Sequence, residues 1–236
     1  MHKREFVKIS TMALGASLFP MSLWSRGISK SVVRTAHIGV GNMGLEDLKA
    51  IASHAQVEVV ALCDVDQNYL AAVQKLFPNA KVFSDYRLLF KKMHRKIDAV
   101  VVSTPDHTHA PASLLAMKHG KAVYCQKPLT HYVAESREMR RVAEKKRLVT
   151  QMGIQVHSFY DYKLATQLIR GGLIGKVSKV IAWSNKNWGY NGIAPDGSDT
   201  IPSTLDWNLW LGTSPERPYK KGYYHPGNWR KLVDYG

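Results

Sequence analysis

The chain has 236 residues, which is enough for one complete domain and part or all of a second. With 45% hydrophobic and 22% charged residues, its composition is that of a globular protein and excludes intrinsic disorder. The formal net charge of +15 does not predict nucleic-acid binding, because the basic residues are scattered and no helix-turn-helix or zinc-finger spacing accompanies them.

Residues 1–30 are predicted to be a targeting segment. A basic start, Lys3–Lys8, precedes an uncharged run from Ile9 to Trp24. The pattern is similar to a twin-arginine export signal with Lys3 in place of the first arginine, and the run is too short and too polar for a stable membrane span. We therefore expect export, to the periplasm or beyond. The alternatives are an amphipathic N-terminal helix that the mature protein retains, and a cytoplasmic protein if the signal is not used.

A glycine-rich fingerprint follows this segment. Gly39, Gly41 and Gly44 have G-x-G-x-x-G spacing, with an apolar strand pattern before them and a helical pattern after them. The first glycine allows a tight turn, the second lets the backbone approach a pyrophosphate, and the third lets helix pack against strand. Backbone N–H groups at the helix start, near Asn42 and Met43, would face the phosphates.

The next predicted strand, Val57–Cys63, ends in Asp64, about twenty residues beyond Gly44. An acid at this place can accept hydrogen bonds from both hydroxyls of an adenosine ribose, and it repels a 2′-phosphate. The sequence therefore predicts an NAD site and makes NADP the less favoured cofactor. The competing interpretation is a turn that only needs glycines, with Asp64 as a solvated loop residue.

Strand and helix patterns then alternate as far as residue 152. The predicted helices cover 67–76, 86–93, 111–119 and 133–146, and the predicted strands cover 81–83, 97–103, 122–125 and 148–152. The strand at 97–103 is a largely β-branched run, which is typical of a strand buried on both faces. This alternation predicts an α/β fold, with an N-terminal Rossmann domain built on a doubly wound parallel sheet over residues 34–154.

The pattern changes past Gly153. A helix is predicted over 160–170, ending at Gly171–Gly172, and a strand over 176–185. A loop-rich stretch dense in Trp, Tyr, Pro and Gly follows. Residues 155–236 are therefore predicted to be the beginning of a second α/β (α+β) domain.

Two polar motifs follow predicted strands, Thr104–His109 and Gln126–His131. Ligands of doubly wound sheets lie beyond the carboxyl ends of the strands, so both motifs should reach the ligand. Lys127 is the predicted catalytic residue. A lysine beside a nicotinamide can hydrogen-bond a substrate hydroxyl, ease its proton away and stabilise the developing carbonyl oxygen. The alternative is a surface lysine at a strand end.

Together, the motifs Gly39–Gly44, Cys63–Asp64, Thr104–His109 and Gln126–Pro128 resemble the Gfo/Idh/MocA oxidoreductase family. The resemblance runs from about Thr35 to the end of the chain. It implies an N-terminal NAD(P) domain and a C-terminal α/β domain that supports the substrate site and oligomer contacts. It also implies oxidation or reduction of sugars, cyclitols or their derivatives.

The resemblance carries roles to individual residues. Lys127 matches the catalytic lysine of the family's Glu-Lys-Pro motif, with Gln126 in place of the glutamate. The residues expected to bind the cofactor are Gly39, Gly41, Asn42, Met43, Gly44, Asp64, Thr104, Pro105, Asp106, His109, Gln126 and Lys127. Substrate contacts are expected from Lys127, His157 and Trp188, and no metal is expected.

The family's remaining catalytic pair, an Asp and a His four positions later on one helix, has no counterpart in residues 158–236. We therefore expect a C-terminally truncated chain. The predicted function is NAD-dependent hydride transfer from a sugar or cyclitol hydroxyl, with homo-oligomerisation of the full-length protein. Three alternatives stay open: a redox-neutral NAD-dependent glycosidase, a non-catalytic dinucleotide-binding module, and a broken gene product without function.

Overall fold

The computed structural model describes residues 32–185, 192–193 and 195–236. Residues Val33–Gly236 form one compact unit. The predicted export segment, residues 1–30, lies outside the described residues. The described part of the chain contains no helix that is both long and apolar enough to cross a membrane. The division of the chain near residue 155 stays a prediction.

Six strands form a single sheet in the order β3-β2-β1-β4-β5-β6. They are β1 (Val33–Ile38), β2 (Val57–Cys63), β3 (Lys81–Phe83), β4 (Ala99–Val102), β5 (Ala122–Gln126) and β6 (Thr150–Gly153). All neighbouring strands are parallel, so the predicted doubly wound sheet is confirmed. The chain changes direction across the sheet between β3 and β4. The carboxyl ends of β1 and β4 therefore flank the switch point at which such sheets bind ligands.

Seven α-helices are described along the chain. They are α1 (Met43–Ala52), α2 (Gln67–Gln74), α3 (Tyr86–Met93), α4 (His109–Lys118), α5 (Val133–Lys146), α6 (Tyr160–Arg170) and α7 (Trp207–Leu211). The predicted ranges 86–93, 133–146 and 160–170 are confirmed. Helix α4 begins two residues earlier than predicted, because a 3₁₀ turn at Asp106–Thr108 leads directly into it and Pro111 fits the first helical turn.

Apolar side chains fill both faces of the sheet. One cluster joins Ile38 and Val100 to Phe90 and Met117 of the helices on one face. A second cluster contains Leu62 and side chains of α1 and α2. Strand β4 is buried almost throughout, as its β-branched sequence predicts. The sheet is therefore a rigid platform, and only its carboxyl edge carries polar loops toward a ligand.

Residues 204–235, called the cap segment here, pack against that carboxyl edge. A third cluster of the core holds the segment together, and it consists of Leu205, Trp207, Trp210, Leu211, Tyr219, Tyr224, Trp229 and Tyr235. The backbone N–H of Asp206 donates to the carbonyl of Val65, 3.0 Å away, just after β2. His107 Nε2 lies 3.1 Å from the carbonyl oxygen of Trp210, just after β4. The cap segment is thus attached to loops that follow two central strands.

The predicted strand over 176–185 is wrong. These residues have no regular secondary structure and are exposed, although Val180, Ile181 and Trp183 are apolar. A strand needs a neighbouring strand to pair its backbone groups, and no described strand lies beside this stretch. Helix α6 likewise buries none of its residues.

His37, in the middle of β1, gives the fold an acid-sensitive site. Its side chain is 1% exposed, and burial lowers its pKa from 6.5 to about 3. Between these pH values the unfolded chain binds a proton that the folded chain does not bind. The free energy of unfolding should therefore fall as the pH decreases through this window, with a slope of up to about 1.4 kcal/mol per pH unit from this residue.

We expect the His37→Gln variant to lose stability less steeply with decreasing pH than the wild type. Urea unfolding between about pH 7 and about pH 4 measures the slope. His54→Gln, at an exposed histidine, is the matched control and should leave the slope unchanged. Equal slopes in wild type and His37→Gln would contradict this assignment.

Candidate functional site

The glycine-rich loop joins β1 to α1 and leaves no room for a side chain at any of its three fingerprint glycines. Gly39 has a φ of +80°, and a Cβ atom there would lie 2.7 Å from the carbonyl carbon of Ser103. A Cβ atom at Gly44 would lie 2.1 Å from the carbonyl oxygen of Gly39. At Gly41 it would lie 2.5 Å from the ring of Tyr69. The loop is therefore packed tightly against the carboxyl end of β4.

Helix α1 begins beside this loop without a capping side chain from the described residues. The residue before it, Asn42, has a positive φ of 45°, which asparagine tolerates better than most residues. Its side-chain amide donates to the hydroxyl of Tyr69 at 3.2 Å. The first N–H groups of a helix attract anions when no side chain satisfies them. The start of α1 therefore suits a phosphate.

Asp64 lies at the carboxyl end of β2 and is held by two backbone groups. Its Oδ2 accepts from the N–H of Val40 at 2.8 Å, and its Oδ1 accepts from the N–H of Asp66 at 3.0 Å. Burial raises the pKa of Asp64, and these two hydrogen bonds oppose the increase. A carboxylate can accept about four hydrogen bonds, so Asp64 keeps acceptor capacity for a ligand.

Two cavities adjoin along the carboxyl edge of the sheet. One, of about 120 Å³, lies between the glycine-rich loop, Asp64 and the cap segment. The other, of about 410 Å³, lies beside Lys127. Both are lined by Met43, Ser103, Thr104 and Arg230. Their combined extent is in the range of small-molecule sites, roughly 300–1,000 Å³. They therefore form one elongated cleft.

The predicted cofactor residues are brought together in this cleft. The smaller cavity is lined by Gly39, Gly41, Asn42, Met43, Asp64, Thr104 and Pro105. The larger cavity is lined by Met43, Thr104, Asp106, His109, Gln126 and Lys127. Gly44 lies behind the loop against Gly39. Asp64 and Lys127 thus mark the two ends of the cleft.

His109 connects the two polar motifs. Its ring is 1% exposed, with Nε2 2.8 Å from the carbonyl oxygen of Thr104 and Nδ1 2.7 Å from that of Pro128. Nearby, burial raises the pKa of Asp106, and the neighbouring basic groups of His109 and Lys127 oppose the increase. The ring of His109 therefore holds the loop after β4 against the loop after β5.

Gln126 and Asp47 form a buried pair beneath Lys127. Gln126 Nε2 donates to both carboxylate oxygens of Asp47, at 3.0 and 2.9 Å. Ser103 Oγ also donates to Asp47, at 2.7 Å. Gln126 Oε1 accepts from the backbone N–H of Lys127 at 3.1 Å. The side chain of Lys127 is exposed and lines the larger cavity.

Several cleft residues were not predicted from sequence. Arg230 and His225 of the cap segment are two of them. Asp47, which contacts Gln126 but is not among the described residues that line either cavity, was not predicted either. The Arg230 guanidinium lies 4.2 Å from the ring centroid of Trp229. The aromatic density of this stretch was the available signal, but aromatic residues alone do not distinguish a packed core from a wall of the cleft. Trp207 and Trp210 both belong to the aromatic core, and Trp210 also lines the smaller cavity.

The two remaining predicted substrate residues are not placed in the cleft. His157 lies in a 3₁₀ turn, and its ring stacks on Tyr162 with centroids 5.0 Å apart. It is not among the described residues that line either cavity. Trp188 lies outside the described residues. The roles of both residues stay predictions.

A parallel sheet of this strand order, a glycine-rich loop at its switch point and an acid at the end of β2 define a dinucleotide-binding Rossmann protein. A family model described as the Gfo/Idh/MocA oxidoreductase family, NAD-binding Rossmann fold, matches residues 33–154. The chain belongs to this NAD-binding oxidoreductase family, and the predicted resemblance and cofactor class are confirmed.

Known relatives include enzymes of two kinds. The chain is 35% identical over 136 residues to a glycosyl hydrolase family 109 protein of Stenotrophomonas maltophilia, covering 53% of the chain and 29% of that protein. It is 32% identical over 149 residues to an inositol 2-dehydrogenase of Rhodococcus jostii, covering 61% and 40%. The crystal structure of myo-inositol 2-dehydrogenase from Lactobacillus plantarum superposes with a TM-score of 0.58 at 26% identity, covering 62% and 43%. The chain therefore spans less than half the length of each of these relatives.

Proposed function

We propose that the protein is an NAD-dependent oxidoreductase that transfers a hydride from a hydroxyl-bearing carbon of a cyclitol or sugar. The observation that carries this proposal is the single cleft with Asp64 at one end, the glycine-rich loop in the middle and Lys127 at the other end. The similarity to an inositol 2-dehydrogenase supports a cyclitol or a related sugar as substrate.

The residues of the cleft fit NAD. A side chain at Gly39 or Gly44 would collide with the backbone, so the loop can take this close-packed path only with glycine at both positions. The uncapped start of α1 suits the diphosphate, and Asp64 has free acceptor capacity for the ribose hydroxyls. The guanidinium of Arg230 adds positive charge where the two cavities meet.

Lys127 is the proposed proton acceptor. Bound NAD supplies the hydride acceptor of the reaction. Lys127 would hydrogen-bond the substrate hydroxyl through its amino group and take the hydroxyl proton as the C–H bond breaks. The resulting ammonium would then donate a hydrogen bond to the new carbonyl oxygen. Gln126 and His109 hold the loop on which Lys127 lies, so that its amine reaches the larger cavity.

The remaining expectations concern the complete protein. We propose that His157 and Trp188 contact the substrate and that residues 155–236 belong to a second, substrate-binding domain. We further propose homo-oligomerisation through that domain. The basic start and uncharged run of residues 1–30 support export to the periplasm through a twin-arginine-like signal.

A redox-neutral glycosidase is the second candidate, and the similarity to a glycosyl hydrolase family 109 protein favours it. Oxidation of a sugar hydroxyl makes the neighbouring C–H acidic, so a glycosidic bond can be eliminated before the hydride returns. Both candidates use the same cofactor cleft and the same base, Lys127. They differ in whether NADH accumulates.

The two candidates can be separated with the natural gene product purified in complete form. It would be incubated with NAD and either a panel of inositols and free sugars or a panel of aryl glycosides. Accumulation of NADH with a cyclitol or sugar supports the dehydrogenase. Release of the aryl group without NADH accumulation supports the glycosidase. Binding of NAD with no turnover in either panel would overturn both in favour of a binding module.

Asp64 is expected to select NAD over NADP. In the Asp64→Ser variant we expect NAD affinity to fall roughly tenfold to a hundredfold, because charge-assisted hydrogen bonds to the ribose hydroxyls are lost. The ratio of NADP to NAD affinity should rise, because the repulsion of a 2′-phosphate is removed. Titration calorimetry with both dinucleotides measures the two effects.

The matched control for this experiment is Asp85→Ser. Asp85 caps α3 by accepting a hydrogen bond from the backbone N–H of Arg87. Serine is also a good N-cap, so the control changes the same charge while keeping the helix capped. It should leave NAD affinity unchanged. If Asp64→Ser binds NAD as tightly as this control, the role of Asp64 is refuted.

A further inference from the structure

We propose that Asp47 is a positioning residue. The carboxylate of Asp47 and the amide of Gln126 form a hydrogen-bonded pair that holds the backbone of Lys127. The Asp47 carboxylate requires a neutral amide at position 126. This inference rests on the proposed catalytic role of Lys127. It also explains why this chain has Gln126 where the resemblance to the family predicts a glutamate.

The hydrogen bonds determine which side chain position 126 can hold. Asp47 accepts two hydrogen bonds from Gln126, and an ionised carboxylate can only accept. The other end of the same side chain accepts from the backbone N–H of Lys127, which can only donate. Residue 126 must therefore donate at one end and accept at the other, and the amide of glutamine does both.

A glutamate at position 126 would bring two carboxylates together. Asp47 and Gln126 are 5% and 4% exposed, so water would screen the repulsion poorly. The side chain also has little room to move away. A Cβ atom at Gly153 on β6 would lie 3.0 Å from Gln126 Nε2, which shows how closely β6 packs against it.

The pair connects the proposed catalytic lysine to the rest of the cleft. Asp47 lies on α1, the helix that begins at the glycine-rich loop, and it also accepts from Ser103 at the end of β4. Gln126 is the last residue of β5, and Lys127 follows it. One buried carboxylate thus ties together three elements that surround the cofactor cleft.

Exchanging the carboxylate and the amide between positions 47 and 126 tests the pairing. We expect Gln126→Glu to raise the unfolding equilibrium constant roughly tenfold or more, measured by urea denaturation. Asp47→Asn combined with Gln126→Glu should return it to within about threefold of the wild type, because one amide and one carboxylate are present again. Glu46→Gln combined with Gln126→Glu is the control. It removes the same charge from the neighbouring, exposed position on α1 and should not rescue.

The positioning of Lys127 is tested with Gln126→Met, which keeps the size of the side chain but removes its hydrogen bonds without adding charge. We expect hydrogen exchange of the Lys127 backbone amide to accelerate roughly tenfold, measured by NMR, because its acceptor is lost. Exchange at the Cys125 amide within β5 should stay unchanged. In the complete enzyme, kcat should fall roughly tenfold, a larger factor than the change in KM for NAD.

The outcomes separate this inference from the proposed function. If Asp47→Asn fails to rescue Gln126→Glu, or if Gln126→Met leaves both Lys127 exchange and kcat at the wild-type values, the positioning pair is refuted. This conclusion stands even where Lys127→Met abolishes turnover. If Lys127→Met retains full turnover while the exchange between positions 47 and 126 rescues stability, the pairing holds and the catalytic role of Lys127 fails.

Discussion

Replacing Lys127 by methionine is expected to lower kcat of the complete enzyme by roughly 10²–10⁴-fold, the range that a general acid–base group contributes. The methionine keeps most of the length of the side chain but has no group that takes the proton of the substrate hydroxyl. NAD affinity should fall much less than kcat, because the proposed ribose and phosphate contacts lie elsewhere in the cleft. Steady-state kinetics with the substrate found in the panel, together with NAD titration, measures both quantities.

Lys231→Met is the matched control for this prediction. Lys231 lines the same cavity as Lys127, so the control removes the same charge from the same surroundings. It should reduce kcat by much less than Lys127→Met. Equal losses in the two variants would mean that only the positive charge of the cavity matters, and the assignment of Lys127 as the proton acceptor would be abandoned.

Adding one methyl group at Gly44 is expected to raise the Kd for NAD at least about a hundredfold. The new Cβ atom would lie 2.1 Å from the carbonyl oxygen of Gly39. Gly39 cannot yield, because it is itself packed against the backbone of Ser103. The start of α1 must therefore move, and the diphosphate loses the N–H groups that we propose bind it. Titration calorimetry of Gly44→Ala with NAD measures the loss.

Gly227→Ala adds the same methyl group in open space. A Cβ atom there would have no neighbour within 4 Å, although Gly227 also lines the cleft. We expect wild-type NAD affinity in this control. Circular dichroism of both variants would show whether the sheet and helices are retained. Wild-type NAD affinity in Gly44→Ala would mean that the loop does not hold the dinucleotide as proposed.

The cap segment gives the cofactor cleft a wall that the Rossmann sheet alone does not have. Its aromatic side chains pack on one another, with the Trp207 and Trp210 ring centroids 4.8 Å apart, and burial of such rings is a large favourable contribution. Burial lowers the pKa of His107 to about 4, so its ring is neutral near pH 7 while it faces the carbonyl oxygen of Trp210. This attachment keeps Trp210 and Arg230 over the edge of the sheet.

Local patterns predicted the elements of the Rossmann fold well. The spacing of Gly39 and Gly44 and the position of Asp64 after its strand depend on neighbouring residues, and these positions were found directly from the sequence. The strand over 176–185 was predicted wrongly for a related reason. A run of apolar residues indicates which side chains favour burial, but it does not indicate whether a neighbouring strand is there to bury them.

Contacts between distant residues had no local signal. Asp47 and Gln126 are 79 positions apart, and His107 and Trp210 are 103 positions apart. The substitution of Gln126 for a glutamate was visible in the sequence, but its partner was not. Only the packing of α1 against β4 and β5 brings the carboxylate of Asp47 to the side-chain amide of Gln126. Only the folding of the cap segment over the sheet edge makes Trp210 and Arg230 part of the cleft.

The sequence by itself thus determined the family, the parallel sheet, the glycine-rich loop and the two ends of the cleft at Asp64 and Lys127. The tertiary structure alone decided that Asp47 lies against Gln126 and that residues 204–235 line the cleft. The physical reason is the range of the interactions. Backbone conformation and strand order follow from short, regular patterns, whereas the partner of a buried polar group depends on how whole elements pack together.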